Sequence, residues 1–305
     1  MQSFPKVLEC ISDLSKDQIE KLIHSANRLK SGYVPVGSRN LGRKFTPIVA
    51  TSFLENSTRT KHSFAIAIKK LGAMYIDFNA DTSSLKKGEN LEETLLTLHY
   101  QGVDLCIIRT SVSGELNQFK KDPPIAIING GDGINEHPTQ ALLDLFTMFE
   151  EGIDINGKTM AIIGDCKHSR VGHSLTSLIP MFGGKIIFCG PKECLPEDIP
   201  ANCEATTNVD EAILKSDVLY TLRIQKERHS QKAAYYDNYE EEFGVNLKRL
   251  QRLDKKIPVF HPGPVNIGVE LDYETIKSDL YLGYKQVTNS VFMRMAILKA
   301  MLIDA

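Results

Sequence analysis

The sequence predicts an α/β protein made of two doubly wound domains, each with a parallel sheet covered by helices on both faces. Two observations lead to this fold class. The chain has 305 residues, about twice the ~150 residues of a common domain. Short apolar runs rich in β-branched residues alternate along it with longer amphipathic segments, and this alternation is typical of parallel sheets with helical crossovers.

The first half of the chain opens with a helix. Ser15 and Gln18 form a capping box, and apolar residues then recur at helical spacing until about Ser31. The segments that follow are predicted to be a strand at 47–53, a helix at 58–71, a strand at 74–78, a helix near 90–100, strands at 103–109 and 125–130, and a helix at 138–151.

The pattern restarts after the stretch 152–157. The predicted elements are a strand at 158–165, a helix at 170–182, a strand at 185–190, a helix at 208–216, and strands at 217–223 and 257–263. We therefore expect domains at 1–151 and 152–285. The last segment, about 286–305, is a strongly apolar helix that we expect to pack back onto the first domain.

Composition excludes several classes of function. The chain has 36 Lys plus Arg against 38 Asp plus Glu, so it has no global positive field to hold a nucleic acid or an anionic membrane. It contains no run of 18 apolar residues, and its N-terminus lacks the order of a signal peptide, so we expect a cytoplasmic protein. The six cysteines include no Cys-x-x-Cys pair, so we expect no metal and no disulfide framework.

An anion-binding motif precedes the second predicted helix. Ser57, Thr58, Arg59 and Thr60 place hydroxyl groups, free backbone N–H groups and a guanidinium at the positive end of that helix. Arginine has a planar fork that matches phosphate oxygens. The alternative is that Ser57 serves only as an N-cap.

Three further features of the first domain point to an anionic ligand. The stretch 82–89 is a polar loop with adjacent lysines, Arg109 ends a predicted strand, and His137 begins a helix just after three glycines. Ligands of open α/β sheets bind at the carboxyl ends of strands. Each feature also has a structural alternative, namely a solvated loop, an arginine paired with a carboxylate, and a buried histidine.

In the second domain, the stretches 165–170 and 223–228 each follow a strand and each present an arginine. Two such strand ends suggest a ligand with more than one carboxylate. The alternative is a surface ion-pair network, which we favour for Arg228 but not for Arg170 or Arg223.

One motif match is misleading. Residues 152–159 fit the P-loop pattern G-x-x-x-x-G-K-[ST], but a P-loop needs a strand before it and a helix after it. Here the predicted order is reversed. No G-x-G-x-x-G lies between a strand and a helix either, so we expect neither nucleotide hydrolysis nor a nicotinamide cofactor.

Together these motifs resemble the aspartate carbamoyltransferase catalytic chain. The stretches that support the resemblance, in the family's order and approximate spacing, are 53–60, 83–89, 109–110, 137–140, 165–170, 223–228 and 261–264. The resemblance extends from about residue 5 to the final helix. It implies an active site in the interdomain cleft, with carbamoyl phosphate on the first domain and L-aspartate on the second.

The resemblance implies transfer of the carbamoyl group from carbamoyl phosphate to the amino group of L-aspartate, a step of pyrimidine biosynthesis. The residues implied for carbamoyl phosphate are Ser57, Thr58, Arg59, Thr60, Ser83, Lys87, Arg109, His137, Gln140, Pro262 and Gly263. Those implied for aspartate are Lys87, Arg170, Arg223 and Gln225. Those implied for the chemical step are Arg59, Thr60, Lys87, Arg109 and His137. No cofactor is implied.

The resemblance also implies partners. Ser83 and Lys87 are expected to reach into the active site of a neighbouring chain, which makes the basic unit a homotrimer with shared sites. A separate regulatory chain is possible in this family.

Two rival interpretations stay open at this stage. An ornithine-type carbamoyltransferase shares several of these motifs, but it has His-Cys-Leu-Pro where this chain has His261, Pro262, Gly263 and Pro264. Arg223 and Gln225 also suit a carboxylate better than a cationic side chain. The chain could alternatively be a catalytically silent homologue that serves as an assembly module.

Overall fold

The computed structural model describes residues 3–32, 46–78, 90–224 and 238–302. Internal contacts divide the chain into two units, one of Met1–Glu150 with Val287–Ala305 and one of Glu151–Gln286. Each unit contains a five-stranded sheet in which every strand pair is parallel, and helices flank both sheets. The predicted fold class of two α/β domains is confirmed.

The elements alternate along the chain as expected. The strands are β1 (Val7–Leu8), β2 (Ile48–Phe53), β3 (Met74–Phe78), β4 (Leu105–Thr110), β5 (Ala126–Asp132), β6 (Thr159–Ile163), β7 (Lys185–Cys189), β8 (Cys203–Thr206), β9 (Val218–Thr221) and β10 (Val259–Phe260). The helices are α1 (Lys16–Lys30), α2 (Thr58–Lys70), α3 (Leu91–Tyr100), α4 (Pro138–Glu150), α5 (Arg170–Met181), α6 (Val209–Lys215), α7 (Tyr239–Phe243), α8 (Leu247–Arg252), α9 (Tyr273–Lys277) and α10 (Gly283–Leu302).

The sheet of the first unit has the strand order β1-β5-β4-β2-β3. Its middle strand β4 is buried on both faces, as its continuous apolar run predicts. Leu95 and Leu98 of α3 pack against Cys106 and Ile108 of this strand. The predicted capping box of α1 is present, because the Ser15 hydroxyl accepts from the Gln18 amide and the Gln18 side chain accepts from the Ser15 amide.

The sheet of the second unit has the order β10-β9-β6-β7-β8. Its core joins apolar residues of β6, β7 and β9 to the helices α6 to α8. Tyr239 and Phe243 of α7 lie within this core, 1% and 5% exposed, with their ring centroids 5.5 Å apart.

Residues of α10 from Val287 onward group with the first unit. Lys30 of α1 donates from Nζ to the carboxylate of Glu150 at 2.7 Å and to the amide oxygen of Asn289 at 2.8 Å. Asn289 in turn donates to the Thr147 hydroxyl at 3.1 Å. These polar contacts, of which the one between Asn289 and Thr147 is buried, link α10 to α1 and α4.

The observed elements differ from the predicted ones in a few places. Strands β1 and β8 and helices α7, α8 and α9 were not predicted. Strand β1 has only two residues, which carry no periodic signal, and it pairs with β5 in parallel. The strands predicted at 158–165, 217–223 and 257–263 are shorter than expected. In the last of these, β10 is confined to Val259–Phe260 between Pro258 and Pro262, because proline cannot donate a sheet hydrogen bond.

The P-loop-like stretch 152–159 lies between the end of α4 and the start of β6. Its context is therefore the reverse of a true P-loop, as predicted. None of the described helices has both the length and the hydrophobicity that a membrane-spanning segment requires.

Candidate active site

In the first unit, the predicted site residues follow three adjacent strands. The motif at 57–60 follows β2, Arg109 is the penultimate residue of β4, and His137 follows β5. All three strands are parallel, so their carboxyl ends lie at one edge of the sheet, where open α/β sheets bind ligands.

The N-terminus of α2 has the properties of an anion site. Ser57 occupies the N-cap position, but its side chain makes no capping hydrogen bond, and the first turn contains no acidic residue. The Ser57 hydroxyl instead accepts from Nη1 of Arg109 at 3.3 Å. The N-cap alternative for this side chain is therefore wrong. Thr58 and Arg59 are exposed beside the unsatisfied backbone N–H groups.

Arg109 is held from two sides. Its Nε donates to Glu55 Oε2 at 3.2 Å, and its Nη1 reaches the Gly130 carbonyl oxygen at 3.5 Å as well as Ser57. The Arg109 side chain is only 13% exposed, so the ion pair with Glu55 is partly shielded from solvent. A carboxylate partner for this arginine was one expectation from the sequence, but no local signal in the sequence identifies Glu55 as that partner.

His137 meets the α2 motif directly. It is 4% exposed, and its backbone carbonyl accepts from the amides of Gln140 and Ala141 in the first turn of α4. Its ring Nε2 lies 3.2 Å from the Thr60 hydroxyl. The structure thus brings Ser57, Thr60, Arg109 and His137 together.

Gln140 lies one helical turn beyond His137 and is also buried. Its amide nitrogen donates to Asp144 Oδ1 at 2.9 Å. An incoming N–H group would therefore meet the amide oxygen of Gln140, which is a hydrogen-bond acceptor.

A buried network supports the turn between β5 and α4. Asn129 donates from its side chain to Asp132 Oδ1 at 2.7 Å, and the Glu136 amide donates to the same oxygen at 3.1 Å. The other carboxylate oxygen of Asp132 accepts from the Gly114 amide at 2.7 Å. This network fixes the backbone that leads to His137, and no local sequence signal identified it.

The second unit repeats this arrangement. Arg170 is the first residue of α5 after β6, Arg223 follows β9, and Pro262 and Gly263 follow β10. These strands are adjacent and parallel, so their ends share one edge. Arg170 and Arg223 are both half-buried.

The loop between β6 and α5 is ordered by two side chains. The His168 ring Nδ1 lies 2.8 Å from Asp165 Oδ1, and Asp165 is 5% exposed. The Ser169 hydroxyl accepts from the Gly172 amide at 3.0 Å and so caps α5. Both contacts fix the position at which Arg170 enters its helix.

The loop after β10 requires a glycine. Gly263 has φ +65° and precedes a cis peptide bond to Pro264. A side chain would be strained in this left-handed conformation. The Gly263 amide donates to His261 Nδ1 at 2.8 Å, and the His261 amide donates to Gln286 Oε1 at 3.0 Å.

Glu270 connects this loop to the segment that bears Arg223. Its carboxylate accepts from the Ile224 amide at 2.7 Å and from the backbone and side-chain nitrogens of Asn266, each at 2.8 Å. Burial raises the pKa of Glu270, although the three hydrogen bonds oppose that effect. No local sequence signal identifies Glu270, because its partners lie 46 and 4 residues away and are brought together by the fold.

Three predicted site residues, Ser83, Lys87 and Gln225, lie outside the described residues, as does Arg228. Within the part of the chain that the structure describes, no group of three or more His, Cys, Asp or Glu side chains is arranged to hold a metal ion.

Comparisons with known proteins agree on the family. The model of the aspartate/ornithine carbamoyltransferase carbamoyl-P binding domain matches residues 6–150, and that of the Asp/Orn binding domain matches residues 156–301. The aspartate carbamoyltransferase catalytic subunit of Thermus aquaticus is 39% identical over 290 residues, which cover 95% of each chain. That of Streptococcus pneumoniae is 38% identical over 295 residues, covering 96% of this chain and 94% of the relative.

A solved structure is also similar. The aspartate transcarbamoylase of Trypanosoma cruzi, in complex with carbamoyl aspartate and phosphate, superposes with a TM-score of 0.85 at 30% identity and covers 98% of this chain and 96% of its own. The similarity inferred from the sequence motifs is confirmed. This chain belongs to the aspartate/ornithine carbamoyltransferase family.

Proposed function

We propose that this chain catalyses transfer of the carbamoyl group from carbamoyl phosphate to the amino group of L-aspartate, which yields N-carbamoyl-L-aspartate and phosphate. The reaction is a step of pyrimidine biosynthesis. The observation that supports it most directly is the set of donors at one edge of the first sheet, where Arg109 contacts Ser57 and His137 contacts Thr60. The similar Trypanosoma cruzi enzyme holds the two products of this reaction.

In the first unit, the phosphate binds at the start of α2. Ser57, Thr58, Arg59, Thr60 and Arg109 supply hydroxyl, amide and guanidinium donors around that helix terminus, which favours a dianion. Thr60, Arg109 and His137 donate to the carbamoyl oxygen.

The carbamoyl NH2 group needs acceptors instead of donors. Gln140 provides its amide oxygen, because Asp144 already engages its nitrogen. The backbone carbonyls of Pro262 and Gly263 provide the others.

Aspartate binds through the second unit. Arg170 and Arg223 follow adjacent parallel strands, and with Gln225 they bind the two carboxylates of the substrate. Ornithine has only one carboxylate and a cationic side chain, so it would leave one of these arginines without an anionic partner. Because leaving a charge unpaired in a binding site is costly, the two arginines select a dicarboxylate over ornithine.

No protein nucleophile is needed for the chemistry. Attack of the amine on the carbamoyl carbon forms the new C–N bond and breaks the bond to the phosphate oxygen. Negative charge grows on the carbonyl oxygen and on the departing phosphate, where fixed donors lower the barrier. Holding both substrates close together supplies much of the remaining acceleration, and the departing phosphate accepts the amine proton.

The active form is a homotrimer with shared sites. Ser83 and Lys87 reach into the site of the neighbouring chain and contact carbamoyl phosphate, and Lys87 also contacts aspartate. Strand β3 supports this assembly, because among the described strands it lies at the edge of its sheet and it exposes Met74 and Ile76 by 54% and 40%. Exposed apolar side chains on an edge strand mark an interaction surface.

A separate regulatory chain is a further proposed partner, since the similar bacterial relatives are named catalytic subunits. We also place the protein in the cytoplasm, where thiols stay reduced, because none of its six cysteines, all of which lie in the described residues, forms a disulfide bond.

The experiment that tests the function measures carbamoylated product after purified protein is incubated with carbamoyl phosphate and either L-aspartate or L-ornithine. N-carbamoyl-L-aspartate is the expected product. Citrulline from ornithine alone would overturn the substrate assignment, and no product from either would indicate a silent homologue.

A further inference from the structure

Helix α10 places an arginine in the interior of the first unit. Arg294 is 1% exposed, and its guanidinium carbon lies 4.9 Å from the ring centroid of Phe64. Burying such a charge costs free energy unless an anion compensates it. Its sequence context, an apolar helix, gives no indication of why an arginine is needed there.

The guanidinium contacts both helices that begin at the anion site. Its Nη1 donates to the Ser63 hydroxyl, and its Nη2 reaches the Thr139 hydroxyl at 3.5 Å. Ser63 in turn donates to the backbone carbonyls of Arg59 and Thr60, at 2.7 and 3.0 Å. Thr139 belongs to the first turn of α4, directly after Pro138.

The charge of Arg294 is incompletely compensated. Its hydrogen-bond partners are hydroxyl groups, and within the described residues no carboxylate lies at ion-pair distance and its Nε has no hydrogen-bond partner. Burial lowers the pKa of Arg294 to about 9, with Asp144 opposing the shift and Arg109 adding to it. The side chain is therefore still cationic at neutral pH.

We propose that Arg294 is a positioning residue for the phosphate site. It holds the first turns of α2 and α4 at a fixed separation, and its buried charge strengthens the binding of a phosphate group at the start of α2. This inference rests on the proposed function, because it takes that helix terminus as the place where carbamoyl phosphate binds.

The test compares the dissociation constant of inorganic phosphate, measured by calorimetry, for the wild type, Arg294→Met and Arg294→Lys. Methionine keeps an apolar chain of similar length and often preserves stability when it replaces a buried ion. We expect Arg294→Met to weaken phosphate binding by about tenfold or more, with little change in the thermal unfolding midpoint. Arg294→Lys keeps the charge and recovers part of the affinity.

Ser63→Ala is the second variant, because it breaks the link to α2 and leaves Arg294 in place. It should weaken phosphate binding by a few-fold. Lys299→Met, which removes another basic residue of α10, is the matched control and should bind phosphate as the wild type does. In kinetic assays, Arg294→Met should raise the KM for carbamoyl phosphate and leave the KM for aspartate unchanged.

Wild-type phosphate affinity in folded Arg294→Met, or in Ser63→Ala if the first variant does not fold, would overturn the proposal. An Arg294→Lys variant no tighter than Arg294→Met would overturn the role of the charge. Failure of the proposed function gives a different result, since the wild type would then form no N-carbamoyl-L-aspartate.

Discussion

The imidazole Nε2 of His137 lies 3.2 Å from the hydroxyl oxygen of Thr60, although 77 residues separate the two in sequence. The contact joins the first turn of α2 to the residue that precedes α4. Two groups that can each donate a hydrogen bond are thereby held side by side. A substrate oxygen that replaces their mutual contact can accept from both, which is the arrangement that stabilises charge developing on a carbonyl oxygen.

Replacing His137 with alanine should lower kcat by about a hundredfold, because one preorganised donor to the carbamoyl oxygen is lost. Steady-state assays at saturating concentrations of both substrates measure this effect. His99→Ala, at an exposed position of α3, is the control and should keep wild-type turnover. A kcat for His137→Ala within twofold of the wild type would contradict the assigned role.

Arg109→Lys should weaken carbamoyl phosphate binding. Lysine keeps the positive charge but cannot contact Glu55 and Ser57 at once through a planar fork, as Arg109 does. We expect a rise in the KM for carbamoyl phosphate of about tenfold, on the order of 1.4 kcal/mol. Arg28→Lys on the exposed face of α1 is the matched control, and equal KM values for both variants would refute the prediction.

Arg223→Gln should act on aspartate alone. Loss of a charged hydrogen-bond donor typically costs ~1.5–3 kcal/mol, which corresponds to roughly a 10- to 150-fold rise in the KM for aspartate. Phosphate affinity, measured separately by calorimetry, should be unchanged. Arg252→Gln, whose side chain is 61% exposed, serves as the control. A variant that loses phosphate affinity and keeps its KM for aspartate would contradict the assignment.

Glu270→Gln should destabilise the second unit by about 1–3 kcal/mol. The two carboxylate oxygens of Glu270 accept hydrogen bonds from backbone N–H groups, and in glutamine one of these oxygens is replaced by an NH2 group, which cannot accept. Denaturant unfolding at neutral pH measures this loss. Glu274→Gln, at an exposed position of α9, is the matched control and should be within ~0.5 kcal/mol of the wild type.

The same pair of proteins tests the pH dependence of Glu270. Its folded-state pKa is raised above the ordinary glutamate value of 4.5, so the native state binds more protons than the unfolded state in that range. The contribution of the group to stability is then fully present below pH 4.5 and is lost as the pH rises through the folded-state pKa. The stability advantage of the wild type over Glu270→Gln should therefore grow as the pH is lowered. An advantage that shrinks on acidification would show that the pKa is not raised.

Shared active sites predict complementation between inactive chains. Arg59→Ala and Lys87→Ala should each be inactive alone, whereas mixing and reassembly should restore activity, because some hybrid sites receive both wild-type side chains. The assay is product formation before and after reversible dissociation of the mixture. Mixing Arg59→Ala with itself under the same conditions is the control, and mixtures no more active than this control would remove the proposal of shared sites.

The amino-acid sequence was sufficient to predict the fold class and an anionic ligand. The capping box at Ser15 and the apolar alternation reflect interactions within one or two turns, so their residue pattern is readable directly. The motif at 57–60 is informative for the same reason, because a helix N-terminus and its flanking donors are contiguous in the chain.

Other features required the tertiary structure. The Glu55–Arg109 ion pair, the Glu270 contacts to Ile224 and Asn266, and the pairing of β1 with β5 join segments that local periodicity does not relate. A serine at position 57 is compatible both with capping a helix and with accepting a hydrogen bond from an arginine. Only the position of Arg109 in the structure shows which of the two contacts its hydroxyl makes.

By itself, the sequence determined the fold class, most of the helices and strands, and which charged residues follow the strands, because these depend on neighbouring residues. Only the tertiary structure decided which strands are adjacent and which buried side chains support the donors, as Arg294 supports Ser63 across 231 residues. The physical reason is that burial and long-range hydrogen bonds are set by packing between elements, and a side chain's own position in the chain does not specify its distant partners.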